Sequence, residues 1–263
     1  NYWLDTGCYA INRIMSGNTK CGIPGGRLTC IAGESQTCKS MIAARAIKSA
    51  QEQGIKFTFY LDTEGGALYE YMDQLGINGE EVEQIIIESA EHAVSTMIQI
   101  FDTIAKFQEQ DPTAKFLIIF DSIGNLRSKK LYTDGLKGDS PIDMGGVARR
   151  IGDMVSFATP KALTTDTAVI LLNHIYENPG EMMPQKIKSQ YGGHRVIYMC
   201  RYLLQLSKVF RKAEKLFGNS DSDTLFNGSE VSVFCTKNAS VRPFFEAKML
   251  NNFYDPQATK YYG

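Results

Sequence analysis

The chain has 263 residues, 43% hydrophobic and 22% charged, the balance of a soluble globular protein long enough to bury a full core in one domain. No apolar run approaches a membrane span, and the opening NYWLDTGCYA does not read as a signal peptide. Six cysteines without a C-x-x-C pair speak for a reduced, cytoplasmic chain over a disulfide framework or a zinc site.

A net charge of −1 gives no argument for a nucleic-acid partner, but the charge is unevenly spread. Residues 62–91 carry nine acids and no Lys or Arg, whereas residues 186–215 carry eight bases against Glu214 alone. Such asymmetry suits a polyanion partner or head-to-tail packing between copies; two solvated faces of opposite sign would look the same.

In chain order, GGRLTCIAG (25–33) is an apolar, β-branched run ending at glycine, so a strand and then a loop are predicted. From Ser40 the pattern turns helical and stops at Gly54. FTFYLD (57–62) is a second strand, and residues 93–107 place Val94, Met97, Ile98, Phe101 and Ile104 on one helical face. KFLIIFDS (115–122) is a continuous apolar strand of the kind buried on both faces. A helix follows through Val147, Ile151, Met154, Val155 and Ala158, then the strand AVILLNH (168–174). YLLQLS, VSVFCTK and FFEAKML come last with few helices between them, which predicts an α/β fold with a mostly parallel central sheet and an antiparallel edge near the C-terminus. Glycine, proline and charge collect at 124–146 and 176–194, two long loops that each follow a strand.

Between the first strand and its helix lies GESQTCKS (33–40), a G-x-x-x-x-G-K-[ST] frame with Cys38 in the place of the second glycine. Glycines in such a loop let backbone N–H groups face a phosphate at a helix N-terminus; the lysine adds a point charge and the hydroxyl ligates magnesium. Cys38 must fit its side chain and hold a conformation that glycine adopts more easily. A magnesium–triphosphate site also wants a carboxylate at the end of a neighbouring strand, which Asp121 supplies, and a group to orient or deprotonate water. Glu64, just past the second strand, and Asp62 both qualify for the last task.

These residues resemble the RecA-family recombinases, most closely their phage, UvsX-like branch. The likeness runs over residues 7–256 and is carried by GIPGGRLTCIAGESQTCKS, FYLDTEGG, FLIIFDSIGNLRSKK, GDSPIDMGGVARR, LLNHIYE and QYGGHRVIYM. It implies a RecA-like P-loop ATPase core over residues 1–263, with the family's N-terminal linking segment and C-terminal domain absent. The implied activity is a DNA-dependent ATPase that polymerises on single-stranded DNA and promotes homologous pairing and strand exchange, with ATP and magnesium as cofactors. A RecA-fold ring motor or a non-hydrolysing regulatory paralogue is the alternative. Implied partners are single- and double-stranded DNA, further copies of the chain in a helical filament, and mediator and single-strand-binding proteins; no membrane is implied, and the site of action would be the host cytoplasm.

Residue by residue, the likeness gives ATP to the loop Gly33, Glu34, Ser35, Gln36, Thr37, Cys38, Lys39 and Ser40, and magnesium to Ser40 and Asp121. Glu64 matches the water-activating acid, Tyr71 the aromatic on the adenine, Ser122 a neighbour of Asp121 in the second nucleotide motif, and His174 the γ-phosphate sensor. In the two long loops Met144 matches an apolar wedge between bases, Arg149 a phosphate contact, and Gly192 with Gly193 a backbone segment laid on phosphates. Lys237 matches a lysine inserted into a neighbouring subunit's ATP site; the family's second lysine is replaced by Ala239, for which Arg242 is a candidate substitute.

Overall fold

The computed structural model describes residues 2–55, 57–66, 68–129, 144–176, 186–209, 228–252 and 261–262. A short strand β1 (Trp3–Leu4) pairs antiparallel with β2 (Ile23–Pro24), with helix α1 (Tyr9–Ser16) between them. Strands and helices then alternate: β3 (Leu28–Gly33), α2 (Lys39–Glu52), β4 (Phe57–Asp62), α3 (Leu68–Leu75), β5 (Val82–Ile86), α4 (Ala90–Gln110), β6 (Phe116–Asp121), α5 (Met144–Thr164) and β7 (Ala168–Tyr176). The two-residue strand β8 (Ser189–Gln190) and helix α6 (Gly193–Met199) lead to β9 (Tyr202–Lys208), β10 (Gly228–Lys237), β11 (Glu246–Asn252) and β12 (Tyr261–Tyr262).

The main sheet has the order β12-β11-β10-β9-β3-β7-β6-β4-β5. Strands β9 through β5 in that order are mutually parallel, and β10, β11 and β12 extend the sheet antiparallel. This is the mostly parallel sheet with an antiparallel C-terminal edge that the element pattern predicts.

Strand alternation sorts the apolar runs into two cores. Leu117 and Ile119 of β6, with Ile170 and Leu172 of β7, lie on the α2 side with Ile42 and Ile47, and the same core extends to Ile11 and Met15 of α1, which packs on β10 and β11. Phe116, Ile118 and Phe120, with Val169 and Leu171, face α4 and α5 through Met97, Phe101, Ile151 and Val155. Both faces of β6 are covered, which is why its sequence has no polar alternation. Helix α4 starts where the Ser89 side chain accepts from the His92 N–H, and α2 stops before Gly54, whose φ of +77° takes the chain out of the helix.

Parallel strands place their C-terminal ends at one edge. Register aligns Asp62 with Asp121 across β4 and β6, and Gly33 with His174 and Leu206 across β3, β7 and β9. Crossover loops leave the sheet at these residues, so the edge is where side chains from distant parts of the sequence meet.

Two boundaries differ from the sequence pattern. Residues 144–146 form the first turn of α5 instead of ending a loop, and the 176–194 stretch contains β8 and the start of α6. Residues 130–143, most of the first predicted loop, and 177–185, about half of the second, lie outside the described residues. Among the described residues no helix is long and apolar enough to cross a membrane.

The N-terminal segment is fastened by Tyr2, a buried residue whose hydroxyl donates to the Phe116 carbonyl (2.9 Å) and accepts from the Ala168 N–H (3.0 Å). Tyr2→Phe strips a partner from two backbone groups at the start of β6 and β7. Urea denaturation should show a loss of about 1–3 kcal/mol, the cost of stranding buried polar groups.

Candidate functional site

The loop between β3 and α2 has its shape forced by close contacts. A Cβ on Gly33 would lie 2.8 Å from the Leu206 carbonyl oxygen and 2.7 Å from Thr37 Oγ1, so β9 leaves room for glycine alone. Further on, Gln36 and Cys38 hold φ of 60° and 65°, the left-handed region. Successive backbone turns of this kind make concave rows of N–H groups that suit anions. Cys38 solves the problem its sequence position raises by burial: its side chain joins the core cluster of Met41 and Ile42. Burial also pushes its thiol up to about 12.

Lys39 follows at the first position of α2. Its ammonium is buried and donates to the carbonyls of Gly33 (3.2 Å) and Glu34 (2.8 Å). Burial lowers its pKa, and the nearby carboxylates of Asp121 and Glu64 work in the opposite direction. Thr37 Oγ1 also donates to the Glu34 carbonyl (2.8 Å), which makes that carbonyl the pivot of the loop.

Across the edge, Asp121 ends β6 with its carboxylate buried. Its Oδ2 accepts from Ser40 Oγ (2.7 Å) and from the Tyr60 hydroxyl (2.6 Å). Burial raises the Asp121 pKa while those two donors hold it down. Ser40 and Asp121 together present two oxygen ligands. Among the described residues no group of three or more His, Cys, Asp or Glu side chains converges on a metal position. A two-oxygen site suits a hard cation that arrives on phosphates and keeps water ligands, as magnesium does.

The two acids near the end of β4 are separated by geometry. Asp62 spends both oxygens on the turn: Oδ1 accepts from the N–H groups of Glu64 and Gly65 (2.8 Å each) and Oδ2 from Gln84 Nε2 (2.8 Å). Glu64 instead reaches over the sheet edge. Its Oε1 accepts from Asn125 Nδ2 (2.7 Å) and Ser122 Oγ (2.9 Å) and lies 3.2 Å from His174 Nε2. The contact with His174 is the main influence that lowers the Glu64 pKa, against a smaller rise from burial. Thr63 knits the same turn to β6, its hydroxyl meeting the Ser122 carbonyl (3.0 Å) and N–H (2.9 Å). A cavity of about 760 Å³ opens beside this cluster, lined by Thr63, Asn125, Ile87, Glu88, His92 and Lys129 among others.

His174 lies on β7, two residues before the strand ends and the second long loop begins. Its N–H donates to Asn173 Oδ1 (2.8 Å), and Asn173 Nδ2 donates to the Tyr191 carbonyl (2.9 Å) on the loop's returning limb. A Cβ on Gly124 would lie 2.8 Å from His174 Cδ2, so the ring packs flush on the turn after β6.

The remaining sequence-derived candidates are placed elsewhere. Tyr71 is half-buried on α3, packed on the core of the α2 side. Met144 is the first residue of α5, its side chain outside the described residues, and Arg149 is exposed one turn later. Gly192 and Gly193 hold φ of 87° and 71° at the start of α6; a Cβ on Gly192 would meet Ile151 and Val196 at 2.8 Å, so this glycine lets α6 pack on α5. Lys237 Nζ donates to the Ile197 and Tyr198 carbonyls (2.8 Å each), binding the C-terminal end of α6 in its own chain. Ala239 is exposed, and the Arg242 guanidinium lies 5.4 Å from the centre of the Phe245 ring. Tyr60, Asn125, Asn173 and Lys188 carry contacts in this region that no sequence motif points to; the runs FTFYLD and FLIIFDSIGN contain the first two without marking them.

The RecA N-terminal domain family matches residues 3–255. The chain belongs to the RecA family. It is 28% identical over 168 residues to the "Recombination and repair protein" of Enterobacteria phage T4, covering 64% of this chain and 41% of that one. It is 27% identical over 226 residues to "Protein RecA" of Nitratidesulfovibrio vulgaris (strain DP4), covering 86% and 57%. Against "Protein RecA" of Mycoplasma mobile the figure is 26% over 244 residues, covering 93% and 66%. The chain thus spans about two fifths to two thirds of the length of these relatives.

Two measurements check the geometry of this RecA-family edge. At position 38, glycine removes a left-handed strain of about 1–2 kcal/mol and loses a buried thiol worth about 1 kcal/mol, whereas alanine loses the thiol and keeps the strain. Denaturation should therefore rank Cys38→Gly near the parent and Cys38→Ala below it. His174→Ala removes the strongest influence lowering the Glu64 carboxyl and leaves burial, which raises it. Carbon-13 NMR titration should show the Glu64 midpoint move to higher pH in that variant.

Proposed function

We propose that this RecA-family chain is the ATPase core of a DNA recombinase that assembles on single-stranded DNA and promotes homologous pairing. The observation that carries the reading is the junction of Glu64 with His174. Glu64, the acid this reading takes as hydrolytic, contacts a residue near the end of the strand that leads into the second long loop, so one contact would join a hydrolytic group to a DNA-facing segment. The name of the phage T4 relative, a recombination and repair protein, supports the same reading.

In this mechanism the backbone of residues 33–38 cradles the phosphates of ATP at the N-terminus of α2. Lys39 exchanges its bonds to the Gly33 and Glu34 carbonyls for phosphate oxygens. Ser40 and Asp121 would hold magnesium, which would offset the charge of the phosphates. Glu64, kept ionised by His174 and Ser122, accepts the proton of the attacking water. His174 and Asn173 then pass the state of that acid to the limb at Tyr191, and residues 124–146 and 176–194 bear the DNA, with Met144, Arg149, Gly192 and Gly193 as contacts. Tyr71 lies against the adenine. Lys237 completes a neighbour's site, which requires it to leave the α6 carbonyls it holds in this chain.

ATP turnover by the full-length protein, with and without single-stranded DNA, tests the reading. DNA should stimulate turnover, Lys39→Ala should abolish it, and Glu64→Gln should keep ATP and DNA binding while slowing hydrolysis by about 10²–10⁴-fold. Undiminished turnover in Lys39→Ala, or a loss that follows Asp62→Asn but not Glu64→Gln, would overturn the assignment.

A further inference from the structure

The second long loop touches the nucleotide site twice. The strand that leads into it does so through His174 and Glu64, as above. The loop's returning limb does so at a different place, residues 186–190. There Lys188 Nζ donates to Glu34 Oε1 at 3.0 Å, an ion pair across 154 positions of sequence. Glu34 is the residue after Gly33, and its backbone carbonyl is the one that Lys39 and Thr37 both hold.

The limb that brings Lys188 to this position is fixed to the sheet. The Lys188 N–H donates to Gln205 Oε1 (2.8 Å), and Gln205 Nε2 donates back to the Lys186 carbonyl (2.8 Å). Gln205 is buried on β9, directly beside β3. Two positions on, Gln190 Oε1 accepts from Cys30 Sγ (3.5 Å), and β8 pairs antiparallel with the end of β7. Lys188 is therefore a charge carried on a braced strap and aimed at the phosphate loop. Its side chain is 21% exposed and that of Glu34 31%, so the pair is partly shielded from water.

We infer that Lys188 is a positioning residue for the phosphate loop, through which the second loop and the nucleotide site influence each other. This rests on the nucleotide and DNA reading given above. Two physical effects support it. A carboxylate at Glu34 beside a triphosphate is repulsive, and Lys188 cancels that charge. The same ion pair fixes the side chain of the residue whose carbonyl Lys39 must release, so a shift of the strap alters how readily the loop accepts phosphate. Linkage makes the effect reciprocal: whatever DNA does to nucleotide affinity through this contact, nucleotide does to DNA affinity.

The test uses the full-length protein, ATP and an oligo-dT strand, with ATP affinity measured in the absence and presence of the strand. The unmodified protein should bind ATP more tightly when the strand is present. Lys188→Gln should weaken ATP binding about threefold to tenfold without DNA, the size of effect given by one partly exposed charge. It should also shrink the tightening that DNA produces. Lys188→Arg should restore both. Adding Glu34→Gln to Lys188→Gln should recover ATP affinity without DNA, because the uncancelled carboxylate is gone, and should leave the DNA effect small. Thermal denaturation of each variant separates these outcomes from misfolding, since a merely structural lysine would give a lowered midpoint and no such recovery. An undiminished DNA effect in a folded Lys188→Gln protein overturns this inference alone. Failure of the unmodified protein to bind ATP, or to respond to DNA, overturns the functional reading on which it rests.

Discussion

Asp121 Oδ2 receives hydroxyl donors from two directions, Ser40 at the start of α2 and Tyr60 on β4. One buried carboxylate oxygen thereby locks the helix after the phosphate loop, the neighbouring strand and β6 into a single arrangement. A carboxylate is costly to bury, and burial does raise its pKa; the two hydroxyl donors are what make the position tenable. Ser40, Lys39 and Glu64 are then held along one edge of the sheet, because the elements carrying them share this one fixed point.

Around that point the two acids of the β4 turn divide structural from chemical work. Asp62 is consumed by backbone amides and Gln84 and shapes the turn; Glu64 is projected by it into a set of side-chain donors. The division depends on backbone geometry, since the amides of Glu64 and Gly65 have to point back at Asp62. A similar economy operates in the phosphate loop, where contacts with Leu206 and Thr37 exclude any side chain at Gly33, yet a neighbouring core pocket accepts one at Cys38.

Much of this was legible from the amino acids. The continuous apolar runs of β3, β6 and β7 announce strands covered on both faces, and the spacing of Met97, Phe101 and Ile104 announces α4. The G-x-x-x-x-x-K-S frame with Asp121 located the site. What local patterns do not carry is register. Tyr60 reads as a core tyrosine until β4 is laid beside β6, and Lys188 reads as a surface base until its strap is bolted to Gln205. Asp62 and Glu64 have the same chemistry two residues apart, so only the turn distinguishes them. β5 mixes Glu83 and Gln84 with Val82, Ile85 and Ile86 as a half-exposed edge strand, and α6 starts within a stretch whose glycines and charges resemble a loop. Lys237 carries a family match to a neighbour's site and, within this chain, a bond to its own helix; sequence likeness has no way to express both.

The burial that lets a cysteine occupy position 38 has a chemical side effect. With its pKa pushed up to about 12 by burial, the thiol stays protonated at neutral pH. Oxidants and electrophiles attack the thiolate and need access to it. Cys38 offers neither, so a residue adjacent to the phosphate-loop lysine is chemically silent. Of the described thiols only Cys21 is not buried, and it lies at the far end of the α1 segment, away from the phosphate loop in sequence. The thiol beside the phosphate-loop lysine is thus shielded by the same packing that lets it stand in for glycine.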